Sequence, residues 1–500
     1  MTKSLDQLRR DAKALATHYN ALEPTALARV SAVAKARGAL PLKHADFLQV
    51  IANENGFLSW PKLVWASEAV GLDRAAKQHR LKLALIHGQH WRVEQLLVDT
   101  PDLADGVFDL EVALLRRRAV EAALADEPAL ATRVFGIRRP MVILAYSKHI
   151  HAAPEREVDM LAIADALLAS GADVNDGFVD PGAGPEPLSA LYGAIGHANN
   201  MALGRWLLEH GADPNDGESL YHATEIGHTD GLRMLLQHGA DPSGTNALKR
   251  AMDFDSLEMV QMLLNAGADP NEGHDGWSAL HHAALRNVSA PVCRALLAAG
   301  SDPGQVGQGI TAYAAARVYG HKPLIDMLEP QDLTPEEALL AQAATGKVPD
   351  GVYIDTAKLP PIYLDLVAEF AGDPARLDHI MALIKLGLPW DRGAAMDVTP
   401  VQLAGWQGQP EMLRYFLSLS PNLGHINGYG GTLLSTIVHG SENNPERAER
   451  DYIACLEIAL TEGVALPKRA AEFAGVPEVA AFLADWAEAH PGQVVEHGVV

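Results

Sequence analysis

The sequence predicts an all-α solenoid: a row of roughly twelve helix-pair units, several degenerate, behind a helical N-terminal cap. Three observations predict it. The chain has 500 residues, whereas a single apolar core stops growing at about 250–300 residues; a repeat array has no such ceiling, because each unit touches only its neighbours. The string Gly-Ala-Asp recurs at Gly171–Asp173, Gly211–Asp213, Gly239–Asp241 and Gly267–Asp269, with a variant at Gly300–Asp302, so the glycines step by 40, 28, 28 and 33 residues. A leucine pair precedes each at a fixed offset, in ALLASGAD, RWLLEHGAD, RMLLQHGAD, QMLLNAGAD and RALLAAGSD.

One unit explains why such a string repeats. Asn246, Ala247 and Leu248 open an inner helix that carries Ala251 and Met252 and stops near Asp255. Leu257, Val260, Leu263 and Leu264 then form one stripe of an outer helix. Gly267 ends it, since a residue without Cβ adopts the left-handed cap conformation. Ala268 is small enough for the next unit to pack closely, and Asp269 and Asn271 suit a turn whose backbone N–H groups they can accept. A single pair cannot bury its own apolar face, and stacking buries it.

These residues resemble the ankyrin-repeat family, whose unit reads roughly G-x-T-P-L-H-x-A-A-x-x-G-H, then an outer helix with a leucine pair, then G-A-D. GWSALHHAA at 276–284, GITAYAAARVYGH at 309–321 and VTPVQLAGWQGQ at 398–409 match its first part. The resemblance implies that Ser278, Thr311 and Thr399 start inner helices, in keeping with N-capping and with proline in the first turn. It also implies that His281 is structural. The 28-residue steps depart from the family: Gly244 follows Asp241 after 3 positions, against about eight in the family pattern, so the finger that projects between repeats is expected to shrink to a turn before Ser219 and before Asn246. The 40-residue step runs through DGFVDPGAGPEPLS, a longer Pro/Gly-rich loop.

The chain divides, on this reading, into a helical cap at 1–75, degenerate repeats at 76–136, core repeats at 137–330, an irregular connector at 331–361, a second repeat block at 362–490 and a tail at 491–500. The unit that opens at Gly430-Gly431-Thr432 carries an insertion, GSENNPERAERD at 440–451, read as a charged loop or helix extension. In the first segment Leu5, Leu8, Ala12 and Leu15 share one helical face, and Pro61 opens a helix with Leu63, Val64 and Ala66 behind it. A similar leader, ending in G-F-x-S-W-P-x-L, precedes the repeats of bacterial ankyrin proteins. It serves either to cap the open first repeat or as a separate docking module.

Composition bounds the function. A 48% hydrophobic and 21% charged chain is globular. The formal charge of −23, from 63 acidic against 40 basic residues, disfavours nucleic acid and anionic lipid and biases a partner toward the basic. Two cysteines, Cys293 and Cys455, with no CxxC pair fit a reducing compartment. No apolar signal segment opens the sequence and no membrane span is long enough. A soluble, cytoplasmic protein is expected.

No phosphate loop, HExxH, nucleophile elbow or dinucleotide fingerprint is present. His222 and Glu225, three apart, share a helix face and suit either a metal or an ordinary satisfied histidine. Lys249, Asp253, Phe254 and Asp255 form a solvated charged face or part of a partner-facing groove. His281 and His282 are neighbours about 100° apart on a helix and cannot serve one ligand equally. His149 and His151 would converge only on a strand, which is not expected there.

Stacking would set these clusters side by side. By the resemblance, Tyr221, His222, Glu225, Ile226, Lys249, Asp253, Phe254, Trp277, Leu285 and Arg286, with Val318 and Tyr319 one unit on, line a concave partner-binding groove. Aromatic anchors with an arginine among carboxylates are hot-spot chemistry. Trp406, Gln407 and His439 offer a similar row in the second block. The expected function is a non-enzymatic scaffold or adaptor that binds a protein, with no cofactor and no metal. The alternative is a metal-dependent enzyme or ligand-binding protein centred on His222, Glu225, Asp253 and His281; a third is a host-directed effector exported without a cleavable signal.

Overall fold

The computed structural model describes residues 5–33, 42, 44–69, 72–180, 185–393, 395–470 and 474–496. It is 61% helix and 3% strand, an all-α solenoid fold of short antiparallel helix pairs. Residues 71–332 make one compact unit, and 1–70 with 333–500 fall in the other.

The first unit is a succession of helix pairs, an inner helix followed by an outer one. Arg74–Ile86 precedes His90–Asp99, Phe108–Ala113 precedes Arg117–Asp126, and Pro140–Tyr146 precedes Glu157–Ala169. Ala190–Tyr192, continued by a π-helical turn Gly193–His197, precedes Met201–Glu209. Then come Ser219–His222 with Asp230–Gln237, Ala247–Asp253 with Leu257–Asn265, Ala279–Arg286 with Ala290–Ala298, and Ala312–Val318 with Lys322–Met327.

The turn after each outer helix shows why Gly-Ala-Asp recurs. Gly171, Gly211, Gly239, Gly267 and Gly300 have φ of 98, 94, 88, 101 and 90°, the left-handed cap. The aspartate two residues on accepts a backbone N–H: Asp173 from Asn175, Asp213 from Asn215, Asp241 from Ser243, Asp269 from Asn271 and Asp302 from Gly304, at 2.8–2.9 Å. Asparagine then bridges to the next repeat. Asn175 Oδ1 accepts from Asp213 N at 2.8 Å, Asn215 from Asp241 N at 2.7 Å, and Asn271 from Asp302 N at 2.7 Å.

Where the glycine step is 28, no strand precedes Ser219 or Asn246. Where it is 40 the finger is a hairpin, where it is 33 the finger is a 3-10 turn, His274–Gly276, and a second hairpin follows Gly300. Gly177–Val179 pairs antiparallel with Pro187–Ser189, inside the Pro/Gly-rich stretch whose residues 181–184 lie outside the described ones, and Val306–Gly307 pairs with Ile310–Thr311. Ser278 forms a capping box with His281, Thr399 one with Gln402, and Thr311 accepts from Ala314 N. In Leu257–Asn265 the buried stripe is Met259, Val260 and Leu263, whereas Leu257 and Leu264 are half-buried. Met259 replaces them because the inward face is set by the neighbouring helix pair as well as by leucine spacing.

In the other unit, Leu5–Asn20, Pro24–Val33, His44–Glu54 and Trp60–Ala69 enclose their own core of Leu8, Ala12, Leu15, Val30, Phe47 and Leu63. Pro335–Ala343 follows the Thr334–Glu337 capping box. Three pairs are then complete: Leu366–Phe370 with Leu377–Lys385, Pro400–Trp406 with Pro410–Ser418, and Leu433–Asn443 with Tyr452–Thr461. The insertion at 440–451 extends the last inner helix to Asn443 and adds a 3-10 turn, Arg447–Glu449. Pro477–Ala489 leads to a parallel pairing of Val494–Val495 with Leu466–Pro467; residues 497–500 of the tail lie outside the described ones.

Candidate functional site

The inner helices Ser219–His222, Ala247–Asp253 and Ala279–Arg286 carry a row of charged and aromatic side chains that runs from repeat to repeat. It starts at His222, held between two carboxylates: Nε2 lies 3.1 Å from Glu218 Oε2 and Nδ1 lies 2.6 Å from Glu225 Oε2. Glu225 accepts from Arg250 Nε on the next repeat at 2.8 Å. Arg250 also donates to Asp253, three residues on, at 3.0 Å. Asp253 Oδ1 then meets the following repeat, 2.8 Å from His282 Nε2 and 3.0 Å from Arg286 Nε.

Rings run beside the charges. Tyr192 lies 4.6 Å from the His222 ring, and Tyr221 makes an edge contact with it at 5.0 Å. The Arg250 guanidinium sits 4.8 Å over Phe254 and 5.8 Å over Tyr221. A guanidinium tied to two carboxylates and stacked on an aromatic face is a planar group fixed in place.

The titrating groups respond as such packing requires. Burial pushes the Glu225 carboxyl up, but bonds from His222 and Arg250 outweigh it and leave its pKa below the ordinary value. At Asp253 burial is likewise outweighed, by His282 and Arg250. Burial dominates at His282 and lowers its pKa despite Asp253, and burial lowers Lys249 against the opposing pull of Glu272.

The structure distributes the twelve sequence-predicted residues unevenly. Tyr221, His222, Ile226, Lys249, Asp253 and Leu285 are half-buried, Glu225 and Arg286 exposed, and Phe254 is 50% exposed. Three cannot line an accessible groove. Val318 and Tyr319 are 0% exposed and Trp277 is 8% exposed. Trp277 precedes the N-cap Ser278 and lays its ring on His281 at 4.8 Å. Val318 and Tyr319 end an alanine-rich helix, Ala312–Val318, beside which bulky side chains gain more by burial than by display.

Nor do His222, Glu225, Asp253 and His281 converge. His281 is buried one repeat away, with Nδ1 at 2.8 Å from Ser278 Oγ and Nε2 at 3.1 Å from Ile310 O, where it ties one repeat to the next hairpin. Among the described residues no group of three or more His, Cys, Asp or Glu side chains is placed to hold a metal ion. His149 and His151 lie on a 3-10 turn, Lys148–His151, and burial lowers His149 to about 4.

Sequence reasoning missed Glu218, Tyr192, Arg250 and His282 as members of the row. Two of them had a signal, since Glu218 and Arg250 stand four before His222 and three before Asp253, the helical contact spacings.

Residues 191–274 and 247–333 each match the family model described as "Ankyrin repeats (3 copies)", and together these stretches contain the whole row. The chain is an ankyrin-repeat protein. Ankyrin repeats are generally protein–protein interaction modules. Among solved structures, the human ASB11 ankyrin repeat domain is similar at 20% identity and a TM-score of 0.36, over 45% of this chain and 99% of that one. The ankyrin repeat domain of Bcl-3, a member of the IkappaB protein family, is similar at 23% identity and a TM-score of 0.34, over 44% and 98%. No curated protein sequence matches the chain. No described helix is long and apolar enough to cross a membrane.

Proposed function

We propose that this ankyrin-repeat protein is a non-catalytic adaptor that holds a protein partner along the row from Tyr221 to Arg286, within the repeats at 187–330. The observation that carries the reading is Phe254. A phenylalanine that stays half exposed beside its own core is backed by Arg250 at 4.8 Å, itself fixed by Glu225 and Asp253. An apolar ring and a cation already held in one orientation lose little freedom on binding, which is what makes a contact a hot spot.

A basic partner suits the chain. Within the row the carboxylates of Glu218, Glu225 and Asp253 are balanced by Lys249, Arg250 and Arg286, so the bias comes from the formal charge of −23 over the whole chain. Such a field raises encounter rates with a basic surface and weakens with salt. The free, buried Cys293 and Cys455 suit a reducing compartment, and we assign the protein to the cytoplasm.

Crosslinking and affinity capture from the native cell, with Phe254→Glu as the paired control, tests the assignment. The expected result is a stoichiometric partner retained by the natural chain and lost with the variant. Equal recovery by both chains, or no stoichiometric partner at all, would remove the reading.

A further inference from the structure

We propose that the second block of repeats has a peptide-binding pocket of its own, which seats an aromatic side chain against Trp406 and Tyr429 and takes a main-chain carbonyl on Asn427 Nδ2. The cavity measures about 690 Å³ and is lined by Val398, Leu403, Trp406, Asn427, Tyr429 and His439 among others. Its floor is the adjacent inner helices Pro400–Trp406 and Leu433–Asn443, and its rim is the two loops around Ala395–Val398 and Asn427–Gly431.

The lining has a different chemistry from the row in the first unit. Among the described residues no Asp, Glu, Lys or Arg side chain lines it. Its aromatic surface is Trp406, with the His439 ring 5.1 Å away, and Tyr429, which is 76% exposed at the mouth. Volumes of about 300–1,000 Å³ with mostly apolar walls and a few placed polar groups are the mark of ligand pockets.

The placed polar group is Asn427. It is 6% exposed, and its Oδ1 accepts from Tyr429 N at 3.0 Å and Gly431 N at 2.9 Å. Two backbone donors decide which end of the amide is oxygen, so the opposite end is Nδ2, which has no hydrogen-bond partner among the described residues. That donor belongs to a residue on the wall of the cavity, where a ligand's acceptor can reach it. His439 adds a second donor. Its Nδ1 lies 2.9 Å from the Asn443 amide Nδ2, an accepting position, so the neutral ring carries its proton on Nε2. The hydroxyls of Ser435 and Thr436, by contrast, already donate to Thr432 O, at 3.1 and 2.7 Å.

The rim is held open before anything binds. Gly428 N donates to Met396 O at 2.6 Å and joins the two loops. Met396 and Asp397 both take left-handed φ, 56 and 54°, a conformation that non-glycine residues keep only when their surroundings enforce it.

Donors without a charged group select a neutral acceptor, and an uncharged aromatic wall selects a ring. A peptide supplies both at once, an aromatic side chain beside its own carbonyl. A free carboxylate or phosphate would meet no cation here.

Full-length chain is panned against a random dodecapeptide phage library, and binding of the enriched synthetic peptides is measured by fluorescence polarisation, with 3-phenylpropionate as the free-acid competitor. The expected result is an enriched set that shares one aromatic position. Its affinity should fall at least about tenfold with Tyr429→Ala and with Trp406→Ala, the loss of one stacked ring, and stay unchanged with Phe254→Glu. Tyr429 is exposed, so its replacement leaves the fold intact, and circular dichroism verifies that for Trp406→Ala. The proposal is overturned by the absence of an aromatic consensus, by affinities insensitive to Tyr429→Ala, by loss with Phe254→Glu instead, or by 3-phenylpropionate binding where no peptide does.

Discussion

Asn215 reaches from one turn to the next: its Oδ1 accepts the backbone N–H of Asp241 at 2.7 Å. Asn175 and Asn271 make the same link to Asp213 and Asp302. The link is missing between the turns at 241 and 269, where Ser243 stands in the asparagine position and its shorter side chain makes no bond to Asp269 N. Ser243→Asn should therefore add a link and stabilise the first unit by about 0.5–1.5 kcal/mol, the net worth of one hydrogen bond. Urea denaturation measures it, and an unchanged or lower midpoint would refute the bridging role.

Gly193 must be glycine for a steric reason. Its φ is −54°, ordinary helix, and alanine in a helix is favoured over glycine by about 0.5–1 kcal/mol. Yet a Cβ at this position would strike the Tyr146 ring and crowd Ala145. Tyr146 has nowhere to go, since it packs against Phe178 at 5.3 Å, Tyr192 at 5.9 Å and His197 at 4.9 Å. Overpacking of this kind costs about 1–3 kcal/mol and outweighs the propensity gain. Gly193→Ala should lower the urea midpoint; a neutral or stabilising result would show that the close approach relaxes.

What the sequence made legible is what acts over a few residues. The left-handed glycines before residues 172, 212, 240, 268 and 301 and the caps at Ser278, Thr311 and Thr399 depend on local geometry alone. The missing fingers before Ser219 and Asn246 follow from counting. Side-chain direction is another matter. Trp277, Val318 and Tyr319 hold positions that a repeat alignment places in the groove, and packing with neighbours turns them inward. The pocket in the second block was half visible as Trp406 and His439. Asn427 and Tyr429 complete it from a loop some thirty residues from its partner at 395–398, which only stacking brings near.

Cys293 and Cys455 are free and buried, and burial pushes both thiols up to about 12. The thiolate is the reactive form, so neither should react with a disulfide reagent at pH 8 in the folded chain. They lie in different compact units, and a repeat array can melt in pieces. Pulsed labelling across a urea series should show each thiol becoming reactive with the unfolding of its own unit. Rapid labelling of either cysteine without denaturant would contradict the packing.

His379 sets the pH dependence that is easiest to isolate. It is 4% exposed, neither ring nitrogen has a hydrogen-bond partner, and it lies 4.7 Å from the Phe370 ring. Burial, helped by the Arg376 charge, lowers its pKa to about 3. The unfolded chain, with an ordinary histidine near 6.5, binds the proton more readily. Its contribution to stability is thus complete above pH 6.5 and is lost as the pH falls from there toward 3, at about 1.4 kcal/mol per unit once protonation of the unfolded state is complete. His149 and His197, lowered to about 4 by burial, add slopes of the same sign over a narrower window. Glu225 and Asp253, whose folded values are depressed, withdraw stability only below the ordinary carboxylate range. Replacing His379 with leucine removes one slope and leaves the others. His379→Leu should be more stable than the natural chain at pH 8, where a buried ring with unmet hydrogen bonds costs about 1–3 kcal/mol, and its advantage should widen by about 1.4 kcal/mol by pH 5.5. Urea midpoints at the two pH values decide it: an advantage that stays constant between them means the ring is not buried in its neutral form.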